Sequence, residues 1–311
     1  MTPLDPTTLM GPLWMLLAYV ALGWLAARRL AIDPRPIATL LIYLVAPLTF
    51  FRALTLGGPT PDHLLLTLAT FLVASLLAVA VHRLTRRRFA PQERALLAFS
   101  AGTGNTGYFG LPVAMVLLPP EGVTLYLFCV LGITLYEFTV GFYLSARGQF
   151  SVAESLTKIV RLPLIYAFLA ALLVSGLGLT VPAAAMEGLA VFPGTYTLLG
   201  MMIIGMTLGR VNLREVDGRF IGACVVVRCV AWPLLALAAV LGLQALVPLS
   251  PELAMAILLL GVVPMAANVV VVAMELGIAP AKGALAVLLT TLAAPLLIPL
   301  YLTLMMRLAG L

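Results

Sequence analysis

Between Ala101 and Pro112 the chain runs Ala101-Gly102-Thr103-Gly104-Asn105-Thr106-Gly107-Tyr108-Phe109-Gly110-Leu111-Pro112, inside an otherwise apolar stretch. Thr103, Asn105 and Thr106 bring hydroxyl and amide groups, while Gly102, Gly104, Gly107, Gly110 and Pro112 weaken any helix built there. A second stretch, Gly261-Val262-Val263-Pro264-Met265-Ala266-Ala267-Asn268, sets one proline and one asparagine in apolar surroundings. Backbone N–H groups freed at such interruptions, together with the amides of Asn105 and Asn268, could hold a carboxylate. The spacing predicts two half-helices at each place, with Pro112 and Pro264 opening the second halves, because a first-turn proline wastes no donor. Without a ligand, the same residues would be two proline kinks. Two further groups could carry charge. Glu137 could take a coupling proton and Arg228 could attract an anion, or the two could form a structural ion pair, or each could reach toward lipid headgroups.

The rest of the chain sets these residues at membrane depth. Hydrophobic residues make up 63% of the 311 and charged residues 10%, and the mean hydropathy is +1.14, outside the range of soluble domains. Hydropathy predicts ten membrane helices near Leu9–Ala27, Ile37–Leu56, Leu64–His82, Gln92–Leu118, Val123–Ala146, Leu162–Leu179, Gly188–Gly209, Phe220–Val247, Pro251–Gly277 and Lys282–Arg307. Cys129, Cys224 and Cys229 lie inside apolar runs in no metal-ligand pattern, so neither disulfides nor a cofactor is expected.

Fifteen of the 18 Lys and Arg residues fall in alternate connections: Arg28, Arg29 and Arg35; Arg83, Arg86, Arg87, Arg88 and Arg94; Arg147, Lys158 and Arg161; Arg210, Arg214 and Arg219; and Lys282. The other connections carry Asp62 and His63, Glu121, Glu187 and Glu252. By the positive-inside rule the basic connections are cytoplasmic and both termini lie outside. Basic residues in short gaps report this topology and the lipid bilayer, not a nucleic-acid partner. Arg52 reads as a headgroup anchor and Glu275 as a solvated helix end. Division near Gln149 to Lys158 leaves five helices on each side, residues 1–148 and 149–311. An odd number reverses the second set, so the expectation is an all-α polytopic protein of two inverted five-helix repeats, with helices 4 and 9 broken where they cross.

The run Asn105-Thr106-Gly107-Tyr108-Phe109-Gly110-Leu111-Pro112 resembles the N-T-x-x-x-G-[IL]-P motif of the auxin efflux carrier family. Ala273-Met274-Glu275-Leu276-Gly277 is similar to the family's A-x-E-Y-G ending, with Leu276 in place of tyrosine. The resemblance spans nearly the whole chain and implies a fold related to bile-acid symporters. Helices 1, 2, 6 and 7 would form a scaffold, and helices 3–5 and 8–10 a moving transport domain working as an elevator. It implies carriage of small organic anions through the crossing of helices 4 and 9. Thr103, Asn105, Thr106, Gly107, Gly110, Pro112, Pro264 and Asn268 would then bind substrate, and Glu137 and Arg228 would couple or pair. Bacterial relatives are linked to dicarboxylates, and the short central loop argues against auxin itself. The resemblance implies a bacterial inner membrane, and a homodimer would form through the scaffold helices. As the lone carboxylate at membrane depth, Glu137 suits a proton as coupling ion better than sodium, for which carbonyls and amides at the two breaks could still build a site.

An enzyme is not expected, because HExxH, GxSxG and facing catalytic aspartates are all absent from the sequence. A channel or a transporter-like sensor would keep the cavity without coupled transport, and saturable flux with counterflow separates a carrier from both.

Overall fold

The computed structural model of the chain describes residues 6–145, 162–210, 217–275, 277 and 280–311. Within them the chain is all helix and loop: α1 (Pro6–Arg29), α2 (Pro34–Gly57), α3 (Pro61–Leu84), α4 (Pro91–Ala101), α5 (106–117), α6 (Pro120–Ser145), α7 (Pro163–Gly176), α8 (Ala183–Arg210), α9 (Gly218–Gln244), α10 (Pro251–Val262), α11 (Asn268–Glu275) and α12 (Pro280–Leu308). Seven of these are long and apolar enough to cross a membrane, and α7 and α10 are shorter apolar helices. The protein is therefore a multi-pass helical membrane protein. The expected central connection, Gln149 to Lys158, lies outside the described residues, as does the side chain of Glu275.

Proline sets many of the helix starts. Pro34, Pro61, Pro91, Pro120, Pro163 and Pro251 each occupy the first turn, where the missing N–H costs no hydrogen bond and φ is already helical. Asp33, Asp217 and Ser250 add side-chain caps to α2, α9 and α10. Gly58, at φ +64°, ends α2 with a left-handed residue.

Proline also widens turns. Pro47, Pro112 and Pro233 each follow a turn of i→i+5 hydrogen bonds, over Leu41–Val45, Thr106–Gly110 and Val227–Ala231. The wider turn clears the ring from the carbonyl four residues back, so each helix continues through its proline. Pro112 thus sits inside α5 and does not open it; Asn105 does. Pro264 lies in the unwound stretch itself, and α11 begins at Asn268. The two expected half-helix prolines therefore have different places, because chain direction and ring sterics act locally at each site.

Helices α1 and α8 pack backbone to backbone. A Cβ on Gly23 would strike the Met202 backbone, and one on Gly205 would strike the Val20 carbonyl. Small residues let the two backbones touch, which substitutes for the hydrophobic drive that lipid does not supply between helices. The Arg52 Nε donates to the Met186 carbonyl at 3.3 Å, tying the end of α2 to the start of α8.

Candidate functional site

The two interruptions meet in space. After α4 the chain is unwound over residues 102–105, and after α10 over residues 263–267. The Asn105 N–H donates to the Pro264 carbonyl at 2.8 Å, joining them.

Each interruption leaves helix-end carbonyls without helical partners, and side chains from neighbouring helices take them up. The Tyr136 hydroxyl donates to Ala98 and Phe99 at 3.0 and 3.1 Å, and the Trp232 indole to Ala101 at 2.7 Å. Tyr126 donates to the Thr106 carbonyl at 2.9 Å. Arg228 closes α10, its Nε on the Val263 carbonyl at 2.5 Å and an Nη on Leu260 at 2.7 Å, with the second Nη 3.5 Å from Thr103. On the donor side, the Met265 N–H reaches the Thr290 hydroxyl at 3.2 Å. A carbonyl left unmatched in this setting costs about 1–3 kcal/mol, so these polar side chains hold the unwound backbone open.

Arg228 is 2% exposed and stacks over the Trp232 ring at 5.2 Å. The Glu137–Arg228 ion pair that the sequence allows does not form. Arg228 is directed to carbonyls of both interruptions, while Glu137 takes different partners. The Thr103 hydroxyl donates to one carboxylate oxygen, and the Asn268 amide donates to the other at 2.9 Å. Glu137 therefore accepts one hydrogen bond from each interruption. It begins the wide turn Glu137–Gly141 in α6.

Asn105 has two parts with separate fates. Its side-chain oxygen accepts from the Phe109 N–H at 3.2 Å and caps α5. Its Nδ2 is buried without a partner. Asn105 borders a cavity of about 110 Å³ with Thr106, Gly107, Tyr108, Glu137 and Asn268, and Ile42 and Phe50 of α2 and Tyr196 of α8 border it too. A second cavity of about 210 Å³ shares Ile42, Glu137, Phe138 and Asn268 with the first and is otherwise apolar, with Phe99, Val271 and Val272. Glu137 is the only charged residue lining either space among the described residues.

Of the residues predicted from sequence, Asn105, Thr106, Gly107, Asn268 and Glu137 line the first cavity; Thr103 reaches it only through Glu137. Gly110, Pro112, Pro264 and Arg228 do not line it. The glycines serve packing rather than unusual backbone angles, since none of Gly102, Gly104, Gly107 and Gly110 has positive φ. A Cβ on Gly102 would strike Tyr136, on Gly107 the Tyr196 hydroxyl, on Gly110 the Tyr126 hydroxyl, and on Gly104 the Arg228 guanidinium carbon at 2.7 Å. Some of the backbone N–H groups at the crossing are taken up by the protein itself. Those of Asn105, Thr106 and Phe109 bond to Pro264, Gly104 and the Asn105 side chain. Tyr108 and Tyr196, with ring centroids 5.1 Å apart, are site residues the sequence did not reveal; their only signal is that tyrosines must sit opposite the glycines.

Comparison with protein-family models and with curated proteins finds no match for this chain.

Proposed function

We propose that the protein is a secondary carrier of small organic carboxylates, with ten membrane crossings in two inverted sets of five, both termini outside, and its substrate at the crossing of the two interruptions. The observation that carries this reading is Glu137, which accepts one hydrogen bond from Thr103 and one from Asn268 and so senses both interruptions at the wall of a cavity. A carrier needs a group whose state is linked to ligand occupancy. Two unit negative charges about 4 Å apart repel by roughly 4 kcal/mol at an effective dielectric constant of 20. A carboxylate entering beside Glu137 therefore favours the protonated glutamic acid, and one proton travels with each anion. Asn105 Nδ2 supplies the unpaired donor that such an anion requires.

Packing supports the inverted arrangement. The contact of α1 with α8 is answered by α7 with α2, and that of α3 with α4 by α9 with α10. Ion pairs support two bodies. Arg210 meets Asp33 at 3.0 Å between α8 and α2. Lys282 meets Glu93 and Asp217 at 2.5 and 2.6 Å, joining α12, α4 and the start of α9. Among the described residues no ion pair crosses from α1, α2, α7 and α8 to the remaining helices. The first group would be the scaffold, through which a second copy of the chain would also pair. The resemblance to the auxin efflux carrier motif implies the same division and a bacterial inner membrane.

A second reading is favoured by the lack of any cation along the cavity among the described residues: a small organic amine held by ionised Glu137. Thermal unfolding of the purified protein with panels of small carboxylates and small amines, at two pH values, separates the two. A ligand at a hundred times its Kd stabilises by about 2.7 kcal/mol. Carboxylates should raise the melting temperature more at the lower pH. Amines acting alone, more strongly at the higher pH, would establish the second reading; no response to either panel would overturn both.

A further inference from the structure

The last turn of α3 carries Arg83 and the turn after it Arg86, Arg87 and Arg88, all exposed, and Arg94 follows in the first turns of α4. The one acid in this stretch, Glu93, is held by Lys282, so the arginines have no carboxylate partner among the described residues. A loop of solvated arginines needs no explanation. Two groups beneath them do. Arg94 Nε and His82 Nδ1 are both buried and both without a hydrogen-bond partner, and Arg94 is the charged neighbour of His82. A buried guanidinium N–H without an acceptor is unfavourable unless an anion completes it, and in its Nδ1–H tautomer His82 offers a second donor to the same anion.

The surroundings say which anion. The adjoining helix α3 presents Leu65, Leu68, Leu72, Leu76 and Leu84 to its outside, Leu84 78% exposed, which is a lipid-facing surface ending at the cluster. A phosphate in the headgroup layer, attached to acyl chains lying on that surface, would meet His82 and Arg94 from the bilayer side and the exposed arginines from the water side.

We propose that His82 and Arg94, screened by Arg83, Arg86, Arg87 and Arg88, form a specific binding site for the phosphate headgroup of an anionic phospholipid. The site binds one lipid, separately from any ligand in the central cavity. A diffuse attraction of exposed arginines to anionic lipid would be screened within about 3 Å at 1 M salt, whereas a phosphate seated on buried donors survives that treatment.

The test is native mass spectrometry of the full chain extracted from mixed vesicles of phosphatidylglycerol and phosphatidylcholine, at low and high salt. One retained phosphatidylglycerol per chain at both salt concentrations, reduced at least tenfold by Arg94→Gln and by His82→Gln but little changed by Arg87→Gln, is the expected result. Arg94→Lys, which keeps the charge, serves as the folded control and should retain part of the binding. Retention that vanishes at high salt, or that Arg87→Gln lowers as much as Arg94→Gln does, would overturn the proposal in favour of diffuse attraction. Inorganic phosphate added to lipid-free protein distinguishes the remaining source: equal protection by phosphate alone would make this a soluble-anion site and overturn the lipid assignment.

Discussion

A carboxylate at membrane depth costs roughly 2.5–3.5 kcal/mol on insertion scales, and Glu137 offsets part of that with one donor from each interruption. Its position makes it the residue through which occupancy of the cavity reaches both unwound strands. Asn105 works beside it, and its two atoms can be tested separately. Asn105→Ser keeps a capping oxygen, since serine and asparagine cap about equally, but removes the unpaired Nδ2. Because a hydrogen bond to a charged group contributes about 1.5–3 kcal/mol, this variant should melt near the wild-type temperature and bind a stabilising carboxylate about ten- to a hundredfold more weakly by calorimetry. Asn268→Ala should weaken binding comparably, because it frees one Glu137 oxygen. Unchanged affinity in both would remove the crossing as the site. Asn105, Asn268 and Glu137 were legible in the sequence as polar residues out of place in apolar runs. The partners of Glu137 and Arg228 were not, since side-chain pairing depends on which helices touch. The opposition of charges suggested an ion pair, and the structure instead satisfies carbonyls with the guanidinium.

At the scale of elements, the unwound strands exist because other helices supply what their own backbone lacks. Tyr136, Trp232 and Arg228 close the broken ends, Tyr126 holds the start of α5, and the glycines admit Tyr136, Tyr126 and Arg228. Glycine and proline marked both interruptions in the sequence, whereas the distinction between a proline that widens a turn and one that lies in the unwound strand depends on local hydrogen bonding. At the water-facing end, the ammonium of Lys282 and the Phe220 N–H hold the Asp217 carboxyl below its usual 3.8. A depressed carboxyl contributes stability that is present above its unfolded pKa and lost as pH falls through the lower folded value. Melting temperature should therefore fall as pH is taken from about 5 to about 3. Asp217→Asn, which keeps the α9 cap, should melt lower at neutral pH and show a smaller acid-induced fall. An equal fall in variant and wild type would mean that the Lys282 cluster does not tie these helix ends together.

Across the whole molecule, hydropathy placed seven of its ten predicted membrane segments within about five residues of helices long and apolar enough to span, because lipid enforces both apolar length and internal backbone bonding. Orientation rests on the placement of Arg and Lys. With Cys129, Cys224 and Cys229 replaced, Asp62→Cys and Glu121→Cys, both at exposed positions, should react from outside with an impermeant thiol reagent. Arg87→Cys and Gly218→Cys, also exposed, should react only after the membrane is opened. The reverse pattern would invert the topology. The central claim is that an anion entering beside Glu137 brings a proton with it. Its most direct measurement is the internal pH of proteoliposomes when a carboxylate that stabilises the protein is added outside, in wild type and Glu137→Gln, without sodium. Wild type should acidify the interior in step with uptake of labelled carboxylate, and Glu137→Gln should exchange the label across the membrane with no acidification. Acidification that persists in Glu137→Gln, or uptake by the wild type only when sodium is present, would contradict it.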